Sequence, residues 1–149
     1  YDLQYNDADW GSDSGPFIFT GNTGGGSEIN AVNTTYYRKS FFVEEPDSLF
    51  QYVVYPKYDN GAVYYLNGKE VDRLNMPAGD ITYETHALEG VGTTTFFVIP
   101  REELQSLVIG ENLLAVEVHQ SENDSDDLLF FFCLFLFHPL FQVVPLFIF

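Results

Sequence analysis

Glu117 and His119 are the two residues whose types and spacing best suit proton transfer or metal binding. The stretch 113–119 alternates as a half-buried strand does, so its two polar side chains share one face. A carboxylate beside an imidazole can exchange a proton or hold a metal, but it can also orient a neighbouring loop. His86 and His138 have no partners at metal-ligand spacing, so the sequence does not support a zinc site. We therefore predict no catalytic residues, no zinc site and a protein that is not an enzyme.

Aromatic and acidic residues suggest a second kind of site, which binds a ligand without reacting with it. Trp10 and Tyr64 could stack on the apolar face of a sugar ring, although aromatic residues in strands more often belong to the core. Asp59 and Asn60 add a carboxylate and an amide a few residues before Tyr64. These four residues are the predicted ligand-binding candidates.

The loop 121–127 is rich in acidic side chains. Asp124 and Asp126 are candidate calcium ligands, because calcium prefers hard oxygen donors. The spacing lacks the pattern of a helix-loop-helix calcium site, so solvation of a surface loop is the favoured alternative. We therefore expect that the protein has no cofactor, with a bound calcium ion as the alternative.

The charge balance limits the partners that the surface can attract. The 149 residues carry 22 acidic and 6 basic side chains, a formal net charge of −16. Such a surface repels phosphate backbones and anionic lipid headgroups, which argues against nucleic acid and against electrostatic membrane docking. Two N-glycosylation sequons, at Asn33 and Asn123, fall in polar sequence and favour an extracellular or cell-surface glycoprotein.

Turn dipeptides, and the β-rich segments between them, predict an all-β chain. Asn60–Gly61 and Asn67–Gly68 suit tight two-residue hairpins, whose two central positions have positive φ. They separate the segments 49–58, 62–66 and 69–74, which we predict to be consecutive antiparallel strands. Further extended segments are predicted at 1–6, 36–43, 81–88, 93–99, 113–119 and 128–137, with a short helical turn at 100–104.

Four motifs follow one another in the order seen in a known group of modules. They are Thr35–Phe41, Tyr58–Val71, Asn75–Gly79 and Asn112–Gln120, preceded by the acidic-plus-Trp stretch Asn6–Trp10. Together they resemble secreted galactose-binding-like modules appended to extracellular hydrolases and phosphoesterases. The resemblance implies an antiparallel β-sandwich of the jelly-roll type that is mostly non-catalytic.

The end of the chain departs from that family. From Leu128 onward 22 residues carry no formal charge, which is long enough for a membrane helix, but Pro139 and Pro145 disfavour one. We predict no membrane span. The predicted organisation is a single β-sandwich domain at 1–137 followed by an apolar extension at 138–149.

The apolar extension leads to the first functional hypothesis, a non-catalytic extracellular structural subunit. Such a subunit would self-assemble into a filament or oligomer by exchange of a terminal donor strand. Both termini qualify, because 1–6 alternates like a strand and 141–149 is too apolar to trail in water. The candidate assembly residues are Tyr1, Leu3, Tyr5, Phe141, Val143, Phe147 and Phe149.

The second hypothesis is a carbohydrate-binding module appended to a secreted hydrolase. The family resemblance favours it, and Trp10 and Tyr64 would supply the stacking faces. The expected partners are therefore other copies of the chain or, on the alternative, glycans.

Overall fold

The computed structural model describes eleven stretches of the chain: residues 5–11, 17–19, 27–29, 32–44, 51–58, 61–88, 93–94, 97–99, 103–121, 129–138 and 141–147. These residues are mostly β, with one turn of 3₁₀ helix at Glu103–Ser106. The strands are β1 (Phe17–Phe19), β2 (Ser27–Ile29), β3 (Thr34–Val43), β4 (Gln51–Tyr58), β5 (Gly61–Leu66), β6 (Lys69–Leu74), β7 (Thr93–Thr94), β8 (Phe97–Ile99), β9 (Gly110–His119), β10 (Leu129–His138) and β11 (Phe141–Phe147).

Strands β3, β9, β5 and β6 form an antiparallel four-stranded sheet in that order. The pairing of β3 with β9 runs without interruption from Thr34 opposite His119 to Val43 opposite Gly110. On its other side β9 pairs with β5 from His119 to Leu114. The strand predicted at 113–119 is therefore confirmed as a central strand of this sheet.

The turn between β5 and β6 confirms the tight turn predicted at Asn67–Gly68. The φ angles are 49° at Asn67 and 83° at Gly68, both in the left-handed region that such a turn needs. The Asn67 amide also donates to the backbone oxygen of Ser106, at 2.7 Å, and to the side-chain oxygen of Asn112, at 2.8 Å. The turn is thereby fixed to the start of β9.

The hairpin predicted at Asn60–Gly61 is wrong. Strand β4 pairs with β10, β7 and β8 in the other sheet, so the chain changes sheets between β4 and β5. Gly61 lies within β5, and any larger side chain there would overlap the Met76 sulfur. Close packing, and not a hairpin turn, explains this glycine.

The second sheet has seven strands, in the order β2-β1-β10-β4-β7, with β11 also paired to β10 and β8 to β4. Its pairings are antiparallel apart from that of β1 with β2, which is parallel. The strand predicted at 128–137 is present as β10. The apolar extension pairs with β10 of its own chain, from Phe147 opposite Cys133 to Phe141 opposite His138.

One face of the four-stranded sheet is buried. Tyr64 is 0% exposed, so it offers no stacking face to a ligand, in agreement with the core alternative. The other buried apolar side chains of this face are Tyr37, Phe41, Val43, Ala62, Leu66, Leu114, Val116 and Val118.

The segment 75–88 lies over part of the opposite face. Met76 and Ala87 pack on Val63, with Ile81 against them. The prediction of an extended segment at 81–88 is wrong, because the chain turns there, and the backbone N–H of Thr85 donates to the Thr82 carbonyl at 2.9 Å. Within the described ranges, no helix has the length and apolar character needed to cross a membrane.

Candidate functional site

A cleft of about 390 Å³ opens on the face of the four-stranded sheet opposite the buried one. Strands β3 and β9 form its floor, and the segments 5–10 and 81–83 form its walls. Its lining contains four aromatic rings, one guanidinium and one carboxylate. The lining residues are Tyr5, Trp10, Tyr36, Arg38, Ile81, Thr82, Tyr83 and Glu117.

A compact turn brings Trp10 to the cleft. The backbone N–H of Trp10 donates to the Asp7 carbonyl at 2.9 Å, and the Asn6 side chain accepts from the Ala8 N–H at 3.1 Å. The Trp10 and Tyr5 rings then lie 5.7 Å apart with their planes tilted by 59°. Trp10 stays 38% exposed, so the structure places this sequence-predicted candidate where a ligand can reach it.

Arg38 ties that turn to the sheet. Its guanidinium lies 3.1 Å from the Asp7 carboxylate and donates to the Tyr5 carbonyl at 3.1 Å. It also lies 5.7 Å from the centre of the Tyr5 ring, within the range of a cation–π contact. The sequence prediction did not identify Arg38 as a site residue. The sequence feature that could have identified Arg38 is its rarity, because it is one of 6 basic residues in an acidic chain.

Glu117 lies at the floor of the cleft and is almost completely buried. Its carboxylate accepts a hydrogen bond from the Tyr65 hydroxyl at 2.5 Å and lies 3.4 Å from Nε2 of His119. Burial, and next the hydrogen bond to Glu117, raises the pKa of Tyr65. Burial, and then the Glu117 charge, raises the pKa of Tyr36. Both tyrosines therefore present neutral hydroxyl groups around the carboxylate.

His119 fixes the loop that carries Tyr83. Its Nδ1 lies 2.7 Å from the Thr85 carbonyl oxygen and 3.0 Å from the Thr34 hydroxyl, which itself donates to the Tyr83 carbonyl at 2.6 Å. Because a carbonyl oxygen only accepts, Nδ1 of His119 carries a proton. The His119 side chain is fully buried, and this geometry agrees with the loop-orienting alternative to proton transfer or metal binding.

The other end of the same loop is held by Arg73. This guanidinium forms a bidentate ion pair with the Glu70 carboxylate, with N–O distances of 2.6 and 2.8 Å. It also donates to the backbone oxygens of Pro77 and Gly79. The hydrogen bond to Glu70 raises the pKa of Arg73. The Ala87 N–H then donates to the Gln120 carbonyl at 3.0 Å. The loop is therefore held on both sides of the cleft wall.

Of the remaining sequence candidates that the structure describes, Tyr5 lines the cleft and the others lie outside its lining. Asn33 is exposed at the start of β3, Tyr5 lines the cleft outside any strand, and Phe141, Val143 and Phe147 lie in β11. Several candidates fall outside the described residues: Tyr1, Leu3, Asp59, Asn60, Asn123, Asp124, Asp126 and Phe149. In the part of the chain that the structure describes, no three His, Cys, Asp or Glu residues group as metal ligands.

No protein-family model matches the chain, and a search of curated proteins also gave no match. Among solved structures, the chain is similar to the Streptomyces avermitilis α-L-rhamnosidase complexed with L-rhamnose. The TM-score is 0.50 at 19% identity, over 77% of this chain and 10% of that chain. At this identity the likeness concerns the fold alone, and it agrees with the β-rich architecture.

Proposed function

We propose that this chain is a non-catalytic carbohydrate-binding module with a galactose-binding-like β-sandwich fold. The buried face of the four-stranded sheet needs a second apolar layer, and the seven-stranded sheet is the element of the chain that can supply it. That arrangement leaves the cleft face outward. The α-L-rhamnosidase likeness, which covers a small part of a larger chain, fits a module of a carbohydrate-active protein.

The cleft lining is the observation that carries the proposal. Sugars have apolar C–H faces, which stack on aromatic rings, and rims of hydroxyl groups, which need hydrogen-bond partners. Trp10, Tyr5 and Tyr83 are 38%, 54% and 48% exposed, so their rings are open to a ligand. Thr82 and the Tyr36 hydroxyl supply neutral polar groups beside them.

Substitution of one exposed ring tests this function. Isothermal titration calorimetry should show saturable binding of at least one neutral sugar, and Trp10→Ala or Tyr83→Ala should weaken it by about tenfold or more. Phe42→Ala is the matched control, because Phe42 is 66% exposed and does not line the cleft. Absence of binding to every sugar on a broad glycan array would contradict the function.

A second candidate is an extracellular subunit that assembles by strand exchange. The observation that favours it is β11, the last described strand, which is mostly apolar and pairs with β10 in the described structure. In an assembly, β11 of one copy would replace β11 of the next and form the same ladder between chains. Pro145 within β11 lacks an N–H and disfavours simple edge-to-edge growth, so exchange is the proposed route.

Truncation tests the strand-exchange candidate. Negative-stain microscopy with light scattering should show filaments or oligomers of the full chain. Deletion of 143–149 or of 1–6 should leave folded monomers of lower mass. Filaments that persist after both deletions, or a full chain that stays monomeric near 17.0 kDa, would contradict it.

A further inference from the structure

A second hollow lies next to the cleft on the same face of the four-stranded sheet. Its volume is about 510 Å³, and Ser40, Asn67 and Glu111 are among the residues that line it. Tyr5 and Arg38 line both hollows, so these two side chains form a shared wall. The two volumes lie within the range of ligand sites, about 300–1,000 Å³, and together they come close to its upper end.

The pairing of β3 with β9 shows how the two hollows are arranged. Tyr36 and Ser40 are four residues apart on one face of β3, a distance of about 13 Å at the usual strand rise. They stand opposite Glu117 and Leu113 on β9, which line the first and second hollow respectively. The hollows therefore follow one another along the strands.

Tyr5 has the right position to contact a ligand in both hollows. Its ring is 54% exposed, while its backbone oxygen is fixed by Arg38. A ring that contacts Arg38 and Trp10 and still remains exposed is a stacking surface that costs little ordering on binding. A ligand longer than one sugar unit can pass over this ring from one hollow to the next.

The charges along the two hollows restrict the ligand further. Among the described residues, three carboxylates, on Asp7, Glu111 and Glu117, line them, against one guanidinium, that of Arg38. Arg38 is already paired with Asp7 at 3.1 Å. The chain as a whole carries −16, so an acidic sugar would be repelled both locally and at a distance.

We propose that the two hollows form one groove for an extended neutral oligosaccharide, with Tyr5 as its central stacking surface. The proposal rests on the carbohydrate-binding function and adds the length and charge of the ligand. Sugar units in the first hollow contact Trp10 and Tyr83. Units in the second hollow form hydrogen bonds with Ser40 and Glu111.

Calorimetry with sugars of graded length tests the groove. The probes are the mono-, di- and tetrasaccharides of the cello-, xylo-, manno- and galacto-series, with tetragalacturonate as the acidic probe. In the series that binds, we expect the tetrasaccharide to bind about tenfold more tightly than the disaccharide. Tetragalacturonate should bind at least about tenfold more weakly than the neutral tetrasaccharide.

Two substitutions test the second hollow, and a third serves as a control. Ser40→Tyr fills the second hollow from an exposed position and should remove the gain in affinity of the tetrasaccharide over the disaccharide. Lys39→Tyr is the control, because it adds the same side chain at the neighbouring exposed residue, which lines neither hollow. In this variant the tetrasaccharide should still bind more tightly than the disaccharide. Glu111→Lys should improve tetragalacturonate binding by about tenfold.

The outcomes distinguish the groove proposal from the carbohydrate-binding function on which it rests. Equal affinity for di- and tetrasaccharide, a gain that survives Ser40→Tyr, or tetragalacturonate as the tightest ligand would overturn the groove and leave the carbohydrate-binding function standing. If none of the probes binds at any length, the groove proposal is wrong. If the wider glycan array also shows no binding, the carbohydrate-binding function is wrong as well.

Discussion

At the scale of single residues, Thr34 links two groups that the fold must hold together. Its hydroxyl accepts from Nδ1 of His119 and donates to the Tyr83 carbonyl, at 3.0 and 2.6 Å. Thr34 is 3% exposed, so water cannot readily replace it. A hydroxyl in this position couples a central strand to the loop that carries a cleft aromatic.

Replacement of Thr34 by valine should therefore destabilise the protein. Thr34→Val keeps the shape but removes the hydroxyl, which leaves the partly buried Tyr83 carbonyl oxygen without this donor. The free energy of unfolding should fall by about 1–3 kcal/mol. Urea denaturation measures the change. Thr82→Val, at an exposed threonine, is the control and should stay within about 0.5 kcal/mol. Equal effects of the two substitutions would contradict this account.

Three tyrosines should make the protein sensitive to high pH. Burial is the main cause that raises the pKa of Tyr36, Tyr37 and Tyr65 above the ordinary value of 10.0. In the unfolded chain these phenols lose their protons first, so the unfolded state binds fewer protons and the free energy of unfolding falls as pH rises above about 10.

Urea midpoints measured between about pH 8 and about pH 11 check this expectation, together with the ultraviolet absorbance of tyrosinate. Tyr65→Phe should flatten the alkaline part of the curve, since it removes one of the three shifted groups. A free energy of unfolding that is constant or rises over this range would refute the prediction.

At the scale of elements, the packing of the segment 75–88 against β5 depends on Gly61. A Cβ there would overlap the Met76 sulfur and lie 2.9 Å from both the Ala87 Cβ and the Asn75 carbonyl oxygen. The Asn75 contact is to backbone, which cannot simply rotate away. The end of β5 and the loop over the sheet thus pack against each other through this glycine.

Gly61→Ala should accordingly cost about 1–3 kcal/mol of stability through overpacking. Gly11→Ala is the matched control, because a Cβ at Gly11 meets nothing within 4 Å. At an accessible backbone conformation, loss of glycine is neutral or slightly stabilising, by about 0.4–1 kcal/mol. Chemical denaturation measures the free energy of unfolding of both variants. A Gly61→Ala protein as stable as the wild type would contradict this account and show that the loop can move aside.

At the scale of the whole molecule, self-repulsion should dominate the response to salt. The described ion pairs of Arg38 with Asp7 and Arg73 with Glu70 are partly exposed and worth at most about 1 kcal/mol each. The net charge of −16 acts over the whole surface and disfavours the compact state.

The melting temperature should therefore rise as sodium chloride is added from low to physiological concentration, because the Debye length shortens to about 8 Å at about 0.15 M. Differential scanning calorimetry at fixed pH measures it. A melting temperature that falls steadily with salt would mean that attractive pairs outweigh the repulsion. Sodium sulfate is a poor substitute in this test, since it also strengthens apolar burial.

The amino-acid sequence by itself determined the β-rich class, most of the strands and the Asn67–Gly68 turn. Those features depend on local chemistry: the alternation along β9, β-branched and aromatic residues, and the positive φ that Asn and Gly tolerate. It also identified Trp10 as a ligand candidate and the shared face of Glu117 and His119.

The tertiary structure decided which strands pair and what the same residue types do. Asn60–Gly61 has the composition of a hairpin turn, yet β4 pairs in the other sheet, because a dipeptide does not specify long-range partners. Tyr64 and Tyr65 are neighbours, but alternation puts one in the core and the other on Glu117. The cleft joins residues far apart in sequence. The register of β3 with β9 sets its floor, and hydrogen bonds from Arg38 and Thr34 hold its walls.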